Sequence, residues 1–230
     1  MQPLPDNVLN PLYLPTLDEL KKAFPLEASY PTDSVEYPWL SPLFTSTQFK
    51  LNNYQVYTKE FIHTLGDYLL QKNLPVLEVG AGDGRLTYFL KEYVGSALEI
   101  VATDRKDWEE IGKTNQSQDV ETLGYIEALE KYATKPTLVL SCWMNVDVNW
   151  TADFRKNLNV QEYILIGDVF RTGGYGQEYY LPPDSGFFCK KLSRNIDGTR
   201  NGIVKGSLGR FDGSPHNPES RTEVYSFIRQ

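Results

Sequence analysis

The stretch Val76-Leu77-Glu78-Val79-Gly80-Ala81-Gly82-Asp83-Gly84-Arg85-Leu86 decides the fold. Four strand-forming residues run into three alternate glycines, and Leu86, Phe89, Leu90 and Tyr93 then recur at helical spacing over 85–94. A strand that passes through a glycine turn into an amphipathic helix is the opening unit of a parallel α/β sheet. In such sheets a ligand lies beyond the carboxyl ends of the strands, where the strand order reverses. The loop therefore marks a site, and its spacing narrows the ligand. A dinucleotide fingerprint needs a third glycine three places after the second, where Arg85 stands. A triphosphate loop needs a glycine ahead of Gly112-Lys113-Thr114 at the place held by Asp107.

Outward from the loop the pattern repeats. The short apolar runs Leu98–Thr103, Leu138–Ser141 and Tyr163–Ile166 show no polar alternation and are separated by longer stretches, so they read as strands covered on both faces. Phe61, Ile62, Leu65, Tyr68 and Leu69 give an amphipathic helix over 58–71, and a second helix is expected over 121–133. Thr114–Gln118 is too polar for a convincing third strand. The run Glu223–Ile228 alternates sides and predicts an antiparallel C-terminal hairpin at the sheet edge. The expected architecture is a Rossmann-like three-layer sandwich over residues 53–230. Residues 1–52, with eight prolines, form a Pro- and aromatic-rich arm with one helix near Leu17–Ala23 capped by Thr16.

Composition limits the function classes. The 230 residues carry a net charge of −7, which disfavours sequence-independent binding to phosphate backbones. Two cysteines and two histidines are too few for a disulfide framework, a zinc site or a histidine triad, and no metal is expected. No apolar run is long enough to span a membrane, and the start MQPLPDNVLNPLYLP lacks the features of a secretory signal, so a cytoplasmic protein is expected. Asn115-Gln116-Ser117 and Asn149-Trp150-Thr151 then read as chance matches to the glycosylation pattern.

Glu78-Val79-Gly80-Ala81-Gly82-Asp83-Gly84 resembles motif I of the class I S-adenosylmethionine-dependent methyltransferases. The resemblance covers about residues 54–230. It implies a seven-stranded, mostly parallel sheet and S-adenosylmethionine as cofactor, with S-adenosylhomocysteine as product. Gly80, Ala81, Gly82 and Gly84 would lie along the cofactor, and Glu78 would order the loop and reach its amino end. Asp104, followed by Arg105, stands at the tip of the second strand, where a carboxylate accepts both ribose hydroxyls. The resemblance further implies adenine contacts at Asp119 and Val120, and cofactor and substrate contacts at Ser141, Cys142 and Trp143.

Several residues keep two readings. Asp83 caps the helix or touches cofactor, and Glu78 is a ligand or a structural acid. Cys142 reads as a small buried residue rather than a nucleophile, since no histidine adjoins it. Trp108 packs a helix or covers adenine; His63 reads as surface and His216 as solvated or as a base. Tyr57, Trp143 and Tyr175 are the candidate substrate-pocket residues, because aromatic faces attract sulfonium groups. The expected reaction is in-line displacement of the sulfonium methyl by an acceptor atom on a small molecule or a protein side chain. The absence of an N-P-P-Y tetrad at Ser141–Met144 disfavours base- and glutamine-methylating enzymes. The alternatives are a methyltransferase-like scaffold without turnover, an aminopropyl transferase and, disfavoured by Arg85, a nicotinamide oxidoreductase.

Overall fold

The computed structural model describes residues 13–19, 55–105, 119–145, 148–168, 186–193, 203, 208–209 and 222–230. Tyr175, Trp108, His216 and the stretch 114–118 lie outside them. The elements in chain order are β1 (Gln55–Val56), α1 (Lys59–Lys72), β2 (Val76–Val79), α2 (Arg85–Val94), β3 (Ile100–Asp104), β4 (Val120–Thr122), α3 (Tyr125–Tyr132), β5 (Thr137–Cys142), α4 (Thr151–Lys156), β6 (Val160–Asp168), β7 (Phe187–Lys191), β8 (Leu208–Gly209) and β9 (Thr222–Arg229).

Seven strands form one sheet in the order β4-β3-β2-β5-β6-β9-β7. The first five are parallel, and β9 runs antiparallel between β6 and β7. Chain order reverses between β2 and β5, so the crevice beyond their carboxyl ends is the switch point of a Rossmann-like sheet. The antiparallel C-terminal pair is present, with the last strand inside the sheet and β7 at its edge. Val224 and Phe227 of β9 are buried on opposite faces, whereas Phe188 on β7 is 54% exposed.

Helices cover both faces. Phe61, Leu65 and Leu69 of α1 and Leu86 and Leu90 of α2 pack on Val76, Ile100, Leu138, Leu140 and Ile164. Ala128 and Leu129 of α3 and Phe154 of α4 pack on Leu77, Val79, Val139, Tyr163 and Leu165. The odd and even residues of each strand thus serve different cores, as the period of two requires. Thr58 caps α1 by accepting the Phe61 N–H at 3.1 Å. Gly66 lets α1 and α2 approach: a Cβ there would stand 2.5 Å from Tyr93 Cδ1. Buried Glu162 accepts from Tyr68 Oη at 2.6 Å and pairs with Lys72 at 2.5 Å, which ties α1 to β6.

One expectation changes. Residues 120–122 are the third parallel strand, not the start of a helix; α3 begins at Tyr125 after Gly124, whose φ of −68° and ψ of 162° place it at the cap. A short edge strand buries only Val120, and Glu121 is held by Lys131 and Tyr132 of α3, so no apolar periodicity announces it. In the arm, Leu17–Glu19 are helical behind Thr16 as expected. Thr16 and Glu19 form a reciprocal capping box, with Glu19 Oε2 accepting the Thr16 N–H at 2.7 Å and Thr16 Oγ1 accepting the Glu19 N–H at 3.1 Å. Pro15 O accepts from Lys59 N–H and Glu60 from Leu17 N–H, so this part of the arm is bonded to the first turn of α1.

Candidate functional site

The β2 strand ends at Val79, and the chain must turn back at once for α2 to pack on the sheet. Gly80, Gly82 and Gly84 make that turn with φ of 68°, 60° and 78°, all in the left-handed region that favours glycine. A Cβ at Gly80 would meet the Trp150 six-membered ring at 2.9 Å, whereas one at Gly82 would meet nothing within 4 Å among the described residues. Among the described residues the loop therefore has one packed side and one open side. It is pinned to β3, with the Ala81 N–H bonded to Thr103 O at 3.0 Å and the Gly82 N–H to Asp104 Oδ2 at 2.9 Å.

Asp104 ends β3 with a buried carboxylate, and Arg105 follows it on the surface. Asp83 takes the Arg85 N–H at 3.2 Å and the Arg85 Nε at 2.5 Å, so it satisfies the start of α2 and holds the side chain that occupies the third-glycine place. Glu78 points to the α2 side, 1% exposed, and accepts from Thr87 Oγ1 at 2.5 Å. Burial pushes its pKa up to about 8, opposed by the Thr87 hydroxyl and reinforced by Asp83 and Asp104. The carboxyl is thus mostly protonated at neutral pH, and a cation brought next to it would favour ionisation.

At the end of β5, Ser141 and Cys142 face opposite sides of the sheet, and Trp143 follows the strand. Ser141 Oγ is buried and makes no hydrogen bond among the described residues. Cys142 Sγ lies 3.7 Å from Tyr57 Oη. Burial pushes the Cys142 thiol well up, with the Glu78 charge adding to it, so a thiolate nucleophile is not available there. Tyr57 is likewise raised by burial and stays a neutral phenol; its ring packs against Phe61 and Phe89 at 6.0 and 6.2 Å. Trp143 adopts φ 58° and donates its indole N–H to Gln55 Oε1 at 3.2 Å.

The structure thus brings together Glu78, Gly80, Ala81, Gly82, Gly84, Asp104, Ser141, Cys142, Trp143 and Tyr57 around the switch point. It does not bring Asp119 there. That residue precedes β4, level with the middle of β3, with a side chain 62% exposed and paired to Lys91 at 3.6 Å. Because β4 is parallel to β3, the chain reaches the site end only at Thr122 and Leu123, and the Leu123 N–H bonds Asp104 O at 3.2 Å. Val120 is buried in the sheet. The mismatch follows from the misplaced third strand.

Three residues of this region were not singled out from the sequence. Trp150 stacks on Tyr125 with centroids 5.0 Å apart and lies over Gly80; Asn149 accepts from Thr151 N and Oγ1, so the apparent glycosylation pattern is a helix-capping turn. Gln55 is the third. Among the described residues no group of three or more His, Cys, Asp or Glu is placed to hold a metal ion, and no helix is long and apolar enough to cross a membrane.

No family model matches the chain, and no curated protein matches it. Solved structures align with part of it. The CcbJ methyltransferase from Streptomyces caelestis is 13% identical, with 74% of this chain and 89% of that one covered at a TM-score of 0.44. The plantazolicin methyltransferase BpumL in complex with SAH is 10% identical, with 74% and 83% covered at 0.41. A SAM-dependent methyltransferase from Aquifex aeolicus is 15% identical, with 74% and 92% covered at 0.37. All three are methyltransferases, and likeness at this level concerns the path of the chain alone.

Proposed function

We propose that the chain binds S-adenosylmethionine and transfers its methyl group to a small molecule or a protein side chain. One observation carries the reading: a glycine turn with an open side at Gly82, at the switch point, beside a buried carboxylate at the tip of β3. The donor set suits this cofactor. Two acids, Glu78 on the strand before the loop and Asp104 beside its middle, match an amino group and a ribose diol. Among the described residues here the one arginine of the loop, Arg85, is bonded to Asp83, so a phosphate has no partner comparable to these.

In this reading Asp104 accepts the ribose hydroxyls, and the backbone at Gly80–Gly82 allows close approach. Glu78 faces the amino end. Ser141, Cys142 and Trp143 close the side toward the acceptor, and the Trp150–Tyr125 stack walls the loop opposite. The bound cofactor supplies an electrophilic methyl on a sulfonium. The chain's own work is to orient the acceptor in line and keep water out. Neutral Tyr57 and Cys142 suit that role, since neither offers a competing anion. A base is required only where the acceptor atom carries a proton at working pH.

Asp104→Ala tests this assignment by calorimetry with S-adenosylhomocysteine. Loss of a buried carboxylate that takes two hydroxyls is expected to weaken binding by tenfold or more, about 1.4 kcal/mol or greater. Unchanged affinity in a folded variant would remove Asp104 from the site.

A further inference from the structure

The chain leading into α1 crosses the end of β5. Gln55 and Tyr57 are two apart in extended backbone and so face one side; the first meets Trp143 and the second Cys142. Trp143 is one of two non-glycine residues with positive φ among the described residues. The other, Asn73, caps a helix, as asparagine commonly does, but a bulky residue pays about 1–2 kcal/mol for that region. Such strain persists where the surroundings enforce it. Here the Trp143 N–H bonds Ile166 O at 2.7 Å and the indole N–H bonds Gln55 Oε1 at 3.2 Å.

An indole nitrogen can only donate, so the oxygen of the Gln55 amide must face it, and the orientation of the amide is fixed. Gln55 is 3% exposed, and its Nε2 is buried with no hydrogen-bond partner among the described residues. A buried unpaired donor costs about 1–3 kcal/mol. The missing partner must be an acceptor. The neighbouring groups are neutral: Tyr57 and Cys142 hold their protons through burial. The titratable groups acting on them are Glu78, itself mostly protonated at neutral pH, and Asp83 and Arg85, which are bonded to each other, so nothing in this set calls for an anion. A cation would leave Nε2 unpaired.

We infer that Gln55 Nε2 is the specificity-determining donor of the acceptor pocket, and that it selects a neutral, planar molecule presenting a carbonyl oxygen or ring nitrogen lone pair. Trp143 holds the amide in position, and Tyr57 and Trp143 supply aromatic faces beside it. The inference rests on the methyltransferase reading only in naming the occupant as the methyl acceptor.

The test uses benzamide, benzoate and benzylamine as probes, titrated into the full chain with and without saturating S-adenosylhomocysteine and followed by ligand-observed NMR. Wild type is expected to bind benzamide at least tenfold more tightly than benzylamine, with benzoate weaker than benzamide. Gln55→Glu keeps an acceptor for the Trp143 indole and, at pH 8.5, where a buried carboxyl such as Glu78 is ionised, replaces the donor by a carboxylate, so the order of benzamide and benzylamine measured there should invert. Gln55→Leu should bind benzamide about tenfold more weakly, the loss of one buried hydrogen bond; this second variant decides the matter if the first does not fold. Absence of the benzamide preference in wild type, including no binding of any probe, overturns the inference, as does an unchanged order in Gln55→Glu. Failure of the nucleoside to bind while the preference persists removes the cofactor reading alone.

Discussion

Glu78→Gln should make the protein more stable, by an amount that grows as pH rises from 4.5 to about 8. In the folded chain the carboxyl of Glu78 is buried against Thr87 with its pKa raised from 4.5 to about 8, mainly by burial. Between those two values the folded state holds a proton that the unfolded state has released, so stability is fully present below pH 4.5 and declines as pH rises toward 8. The span of about 3.5 pH units, at about 1.4 kcal/mol per unit, gives roughly 5 kcal/mol as a ceiling. Water entry and loop relaxation lower it to a few kcal/mol. Glutamine keeps the acceptor for the Thr87 hydroxyl and cannot ionise. Urea unfolding of both proteins at pH 4, 7 and 8.5 should therefore give nearly equal stabilities at pH 4 and an advantage of about 2–4 kcal/mol for the variant at pH 8.5. Other titrating groups cancel in the difference. A difference that does not vary with pH would refute the argument that burial governs this carboxyl. The gain should come with weaker cofactor binding, since the acid that destabilises the empty site is the one facing the amino group.

Other substitutions probe the frame around the site. Gly82→Ala places a methyl where no described atom lies within 4 Å; it should cost only the left-handed strain, about 1–2 kcal/mol in chemical denaturation, yet weaken S-adenosylhomocysteine binding more than tenfold by calorimetry. Gly66→Ala forces Tyr93 aside and should destabilise the wild type, whereas in a Tyr93→Ala background it should stabilise by about 0.5–1 kcal/mol, the helix preference of alanine. Arg229 donates to the carbonyls of Val160, Arg155 and Asn157 at 2.8–3.1 Å and lies over Phe187. Arg229→Met should cost about 3 kcal/mol and lower Tm by roughly 6–12 °C.

Most of the frame was legible because it is built from long-range burial that leaves periodic signatures. Helix 85–94 and strand 76–79 coincide with their sequence readings, and five further segments differ only at their ends. Gly80, Gly82 and Asp104 were legible for a different reason: a sharp turn and a strand-tip carboxylate need particular residue types at fixed spacing. What escaped is local and short. The β4 strand buries a single side chain and borrows its register from β3, so Asp119 was aligned to the wrong end of it. Trp150 reaches Gly80 across some seventy residues of sequence, and only the fold puts an indole there. Gln55 was invisible because an unpaired amide nitrogen is a property of its surroundings, and the two-residue pairing of β1 with β8 has no pattern to read.

The most direct measurement is calorimetric titration of the full chain with S-adenosylmethionine and S-adenosylhomocysteine, with NAD as the comparison. Micromolar binding of both sulfur nucleosides, with NAD at least a hundredfold weaker, is the expected result. Equal or tighter binding of NAD, or no binding of either nucleoside, would contradict the assignment of the glycine loop.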